Sequence, residues 1–408
     1  MSQSSQRPPA DLLSGIRVLD LTNILSGPYA TYQMALLGAE VIKVENPKDG
    51  DLARKLGASP ALNGQLMGTS FLAQNAGKLS VTVDLKHPEG KALFRDLVAS
   101  ADVLVENFRP GVMDRLGFGH EALRAVNPGL IYCAISGFGQ NGPLAGNPAY
   151  DQIVQGMSGV MSITGDADTA PLRVGYPLCD TLGGMAAGFA VVSALVKRGR
   201  TGEGAFIDLS MLDATLSAMG WAVSNYLIAG VEARPIGNQN MTAAPSGAFR
   251  CADGPINIAA NKQEQFEKLC ELVGRPELAT DPRFAERETR KANRAAINAE
   301  LEQALAAKTA QEWESLFNAY GIPAGRILTV PEILAHPQIA ARDLVQDIAM
   351  PEADFGGVRV VRAGFDLADS QPAARCPPPW LGQHNARIYG ELGRDQAALD
   401  HLRASGAI

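Results

Sequence analysis

One aspartate stands out among the residues able to do chemistry. In "RVGYPLCDTLGGMAAGFAVVSALVKRG" (173–199), Asp180 lies between a short apolar run and a long apolar segment dotted with glycines. A carboxylate there has two readings. Asp is a favoured N-cap and suits the positive end of a helix. Its neighbours Leu178, Cys179 and Leu182 are apolar, however, and Gly183 and Gly184 would let a ligand approach the first turn closely. A partly desolvated carboxylate so placed can attack an activated acyl carbon, provided the helix N-terminus stabilises its charged form.

Other chemistries lack their residue patterns. His87, His120, His336, His384 and His401 show no metal-ligand spacing, and the chain has no G-x-S-x-G elbow and no G-x-x-x-x-G-K-[ST] loop. The cysteines, 5 in number, are scattered and never in a C-x-x-C pair. That pattern implies reduced thiols in a cytoplasmic protein rather than disulfides or zinc. A net charge of -7 without a dense Lys/Arg run argues against nucleic acid. The longest apolar helix candidate, from about Met185 to Val196, is too short and glycine-rich for a bilayer, so no membrane association is expected.

The elements that must position Asp180 follow an α/β pattern. With 408 residues and 46% apolar content, the chain can bury a full core. "IRVLDLT", "GPYATYQMALLG" and "AEVIKVE" read as strand, helix and strand. The alternation continues through "HPEGKALFRDLVASA", "DVLVENF", "HEALRAVNP" and "GLIYCAISGFG", and "AFIDLSM" adds a further strand. A doubly wound, Rossmann-like parallel sheet is implied. Past "GNQNMTAAPSG" the texture changes to a hairpin-like "AFRCADGPINIAAN" and charged helices, the last opened by a Thr309/Glu312 capping box and stopped by Gly321 and Pro323. The expected division is a large domain of residues 1–215 and 335–408 and a smaller α+β domain of 216–334. The strand-like "GVRVVRAG" returns along the large domain.

The first βαβ unit invites a dinucleotide reading, with Glu45 in the place of a ribose-binding acid. Its turn, "LTNILSGPYA", holds the single glycine Gly27 rather than G-x-G-x-x-G, so the pyrophosphate cradle is missing.

The stretches "GIRVLDLTNILSGPYATYQMALLGAEVIKVENP", "VENFRPGVMDRLGFG", "NPAYDQIVQGMSGVMSITG", "PLCDTLGG", "YGIPAGRI" and "PPPWLGQH" together resemble the family III CoA-transferases. The resemblance covers nearly the whole chain and implies a Rossmann-type large domain, a small domain and an interlocked homodimer. It makes Asp180 the nucleophile, passing through aspartyl-acyl anhydride and aspartyl-CoA thioester intermediates with no resident metal or redox cofactor. Coenzyme A enters as a thioester substrate. Carried over by position, Ile24, Leu25, Val83, Lys86, Asn107, Phe108, Arg109, Arg115, Tyr150 and Asp151 are CoA-binding candidates, and Gly237, Asn238 and Gln239 are substrate-loop candidates.

Three departures bear on specificity and binding. Tyr150 stands where the racemase branch of the family carries its catalytic histidine, which argues for transfer over α-proton exchange. The loop "IGNQNMTAAPSG" lacks the glycine run of formyl-CoA transferases, which counts against oxalate and formate, and Asn46 replaces a basic residue often found there. The expectation is CoA transfer to a short dicarboxylic acid, with succinyl-CoA as donor. An acyl-CoA racemase or isomerase and a non-catalytic CoA-binding module are the alternatives.

Overall fold

The computed structural model describes residues 8–408. Six strands, β1 (Arg17–Asp20), β2 (Glu40–Glu45), β3 (Lys78–Thr82), β4 (Val103–Glu106), β5 (Ile131–Ser136) and β6 (Ala205–Ser210), form one sheet in the order β3-β2-β1-β4-β5-β6. All five pairings are parallel. The principal helices between them are α1 (Ser26–Leu36), α2 (Pro88–Ala99), α3 (His120–Val126), α4 (Asp151–Met157) and α5 (Leu178–Thr201), and α6 (Met211–Ala218) and α7 (Trp221–Ala229) follow β6.

The apolar runs of the central strands are explained by burial on both faces, as parallel sheets require. Val18, Val41 and Val103 share a core with Ala30 and Met34 of α1 and with Ala187 and Val191 of α5. Their chain neighbours Leu19, Ile42 and Leu104 point the other way, into a core with Phe94 and Leu97 of α2. Edge strand β6 instead alternates between exposed and covered residues at its start.

Helix α5 begins at Leu178, close to the Asp180 end expected, and runs for 24 residues to Thr201, beyond the apolar stretch from Met185 to Val196 at both ends. It is therefore long and apolar enough to cross a bilayer by length and composition, contrary to the expectation from the Met185–Val196 stretch alone. Its glycines also serve a different end from the one expected. Gly183 and Gly184 are buried, and a Cβ on Gly184 would stand 2.5 Å from the Ser26 carbonyl oxygen. A Cβ on Gly183 would meet Ser26 Oγ at 3.0 Å. The pair admits the start of α1, not a ligand.

The described residues divide into two compact units: 8–160, 174–231 and 340–408 in one, and 161–173 and 232–339 in the other. Residues 216–231 thus join the large unit, and 161–173 and 335–339 leave it for the small one. A hydrogen bond of 2.7 Å from Gly237 N to the Gly165 carbonyl helps to tie the latter segment there.

The second unit holds antiparallel strands β7 (Ser246–Arg250), β8 (Pro255–Ala259) and β9 (Ala324–Arg326). Phe249, Ile256 and Ile258 of these strands pack with Phe266, Trp313 and Phe317 of its helices. Thr309 caps the helix Ala310–Ala319 reciprocally with Glu312, and Gly321, at φ 75°, follows its end. In the large unit, β10 (Val345–Ala349) and β11 (Gly357–Val361) form an antiparallel ribbon, and Val360 packs on Tyr32 and Leu36 of α1.

Candidate active site

The strand order places a topological switch between β1 and β4, whose following loops turn to opposite faces of the sheet. In doubly wound folds ligands bind outside the carboxyl ends of the strands at such a point. Two cavities lie there, of about 350 and 280 Å³, with Asn23 and Phe108 bordering both. Ile24, Leu25, Asn107, Arg109, Tyr150 and Asp180 border the first. Val83, Lys86, Asn46 and Asp51 border the second.

The structure thus gathers most of the candidate residues at one edge of the sheet. Arg115 borders neither cavity but sits on the short helix Val112–Leu116 just after β4. Lys86, Arg109 and Arg115 are exposed and make no ion pair among the described residues. Such cations are available to a polyanion.

Asp180 is half-buried in the first turn of α5, and it is not that helix's cap. Asp151, the first residue of α4, has that role: its Oδ1 accepts from Cys179 N at 2.8 Å and from Asp180 N at 3.4 Å. Asp151 is itself buried, so the structure makes it a support of the Asp180 turn. Fully buried Gln155, one turn further along α4, donates to Asp151 Oδ2 at 2.7 Å and accepts from Val174 N at 2.9 Å. Gln155 was not singled out from sequence. Its only local signal is the i, i+4 spacing from Asp151.

The cap's charge changes the electrostatics expected for Asp180. Burial, and after it the repulsion of Asp151, push the Asp180 carboxyl up to about 7. The helix N-terminus does not prevail over these two effects. At neutral pH the group is poised between its acid and its nucleophilic carboxylate.

Two further residues have partners that sequence alone did not show. The Asn107 side chain clasps the backbone of Asn23, its Oδ1 accepting from Asn23 N and its Nδ2 donating to Asn23 O, both at 2.8 Å. That amide joins the loops after β1 and β4. Glu45, the apparent ribose-binding acid, forms a buried two-pronged pair with Arg54, at 2.6 and 2.8 Å, and accepts from Ser80 Oγ at 2.7 Å. An acid so engaged is not free for a ribose.

Gly237, Asn238 and Gln239 belong to the second unit. There Gly237 has φ 61°, and Gln239 Oε1 accepts from Asn298 Nδ2 at 3.1 Å. Asn238 and Gln239 border an open depression beside Ser246 and Gly325.

Residues 13–385 match the family model described as CoA-transferase family III. The chain belongs to this family. It is 41% identical over 401 residues to acetyl-CoA:oxalate CoA-transferase of Acetobacter aceti, a match covering 97% of this chain and 100% of the relative. It is also 36% identical to succinyl-CoA:glutarate CoA-transferase of Mus musculus, covering 98% and 92%. Among solved structures, a CAIB/BAIF family protein from Brucella suis superposes with a TM-score of 0.82 at 37% identity, covering 95% of this chain and 100% of that one. The α/β fold with its large parallel sheet is that of the family.

Proposed function

We propose that the protein is an acyl-CoA:carboxylate CoA-transferase in which Asp180 is the nucleophile. The observation that carries this reading is a half-buried carboxylate, without a basic partner among the described residues, bordering a cavity at the sheet's switch point and poised near neutrality. An ion pair would weaken its attack; a fully solvated carboxylate would be a poor nucleophile.

The reaction follows from that single group. An Asp180 oxygen attacks the donor thioester carbonyl, the C–S bond breaks, and CoA thiolate leaves a mixed anhydride behind. The thiolate then attacks the Asp180 acyl carbon, releasing the donor acid and forming an aspartyl-CoA thioester. An acceptor carboxylate attacks that carbon in turn, expelling the thiolate, which finally takes the acceptor acyl group and regenerates Asp180. Protons balance without a general base, and covalent catalysis divides one exchange into easier steps.

CoA would lie across both cavities, its thioester beside Asp180 and its phosphates near Lys86, Arg109 and Arg115. The acceptor is a short dicarboxylic acid, in keeping with the glutarate of the mouse relative's name and the oxalate of the bacterial one. The missing glycine run therefore no longer counts against oxalate.

An interlocked homodimer is part of the proposal. It is supported by the uncovered apolar residues Phe189 of α5 and Trp221 and Ile228 of α7, exposed by 78%, 76% and 85%. A single-chain mass by light scattering would contradict it.

The test is to incubate acyl-CoA donors with a panel of mono- and dicarboxylates in heavy water. Acceptor-dependent transfer of CoA without deuterium at the α-carbon is expected. Exchange at that carbon without any acceptor would overturn the reading in favour of an isomerase.

A further inference from the structure

The turn between β1 and α1 separates the two cavities, and its backbone is held at three successive residues by side chains from elsewhere. The Thr22 carbonyl accepts from Lys43 Nζ at 2.7 Å. Asn23 is clasped by Asn107. The Ile24 N–H donates to Asp51 Oδ1 at 3.0 Å. The other Asp51 oxygen lies 2.9 Å from Lys43 Nζ, so two of the three holds are one buried ion pair.

What this pair restrains is a conformation that isoleucine disfavours. Ile24 has φ 70°, in the left-handed region. A β-branched residue there is a genuine outlier that persists only when its surroundings over-determine it. Ile24 borders the Asp180 cavity, and Asp51, itself buried, borders the neighbouring one. Without its acceptor, Ile24 would relax towards negative φ, and the peptide planes on either side would turn.

We propose that Asp51, charge-paired with Lys43, is a positioning residue for CoA: it holds Ile24 left-handed and so keeps the turn between the cavities shaped for the thioester substrate. The inference rests on the transferase reading, and binding of CoA itself is the readout that separates the two.

Asp51→Asn retains shape but has one oxygen where Asp51 has two, so it cannot face Lys43 Nζ and accept from the Ile24 N–H at once. Steady-state kinetics and CoA titration calorimetry should show KM and Kd raised roughly tenfold with kcat within about twofold. Adding Ile24→Gly should restore most of the affinity, because glycine adopts this φ freely. A merely structural Asp51 would lower the melting temperature without moving KM, and glycine would rescue nothing. A folded Asp51→Asn protein with unchanged KM and Kd, or one that Ile24→Gly fails to rescue, overturns the inference. Should Asp51→Asn not fold, Asp51→Glu keeps the charge while displacing the acceptor, and the same outcomes decide. Wild-type protein that binds no CoA would instead overturn the transferase reading.

Discussion

Asp20 and Asp180 are both carboxylates of the large unit, and their surroundings treat them oppositely. Asp20, at the end of β1, is fully buried. Its burial alone would raise its pKa, but Lys43, at 3.8 Å, and Lys78, at 2.8 Å, hold it well below the usual carboxylate range. Thr22 and Thr31 hydroxyls donate to it as well. Asp180 is less buried, has no cation beside it among the described residues and faces a second carboxylate, and it is pushed up to about 7. A carboxylate ringed by cations is fixed as structure; one that is desolvated and repelled keeps its reactivity. The two are linked through the chain, since Asp20 and its lysines anchor the turn that borders the Asp180 cavity.

The sharpest way to break this contrast is to remove the structural carboxylate. Asp20→Ala leaves Lys78 and Lys43 buried without their shared anion and should cost about 3–5 kcal/mol in denaturant unfolding. A loss below about 1 kcal/mol would mean that the network is not an anchor.

A smaller effect should appear in the pH profile. Asp180 must be ionised to attack, so kcat/KM should fall as pH drops below about 7, following the raised pKa. Asp151→Asn keeps an acceptor for Cys179 N and removes the repelling charge, so that limb should move to lower pH. A limb unmoved by Asp151→Asn would separate the cap from the tuning of Asp180.

Much of this site was legible in the sequence, for reasons that particular residues make clear. The strands of the sheet, the Thr309/Glu312 box and the "ADG" hairpin are local patterns, and local patterns survive folding. Asp180 was legible as a candidate because its apolar flanks lie beside it in the chain. Its cap was not, because Asp151 is contributed by another helix, 29 residues away. Gly183 and Gly184 misled for the same reason: sequence shows that space exists but not that Ser26 and Tyr29 fill it. Glu45 looked free until Arg54 folded onto it. The length of α5 was underrated because its glycines dilute the apolar pattern on either side of the Met185–Val196 stretch. The membership of 161–173 in the small unit goes with long-range contacts such as the hydrogen bond from Gly237 to Gly165, which no composition shift announces.

The central claim is that Asp180 becomes covalently acylated. Incubating the protein with an acyl-CoA and hydroxylamine, then mapping its peptides by mass spectrometry, tests this directly. The account predicts a hydroxamate on Asp180, none in Asp180→Ala, and loss of transfer in that variant by at least about a thousandfold with the fold intact. No hydroxamate at Asp180 with any competent donor, or near-normal transfer by Asp180→Ala, would contradict it.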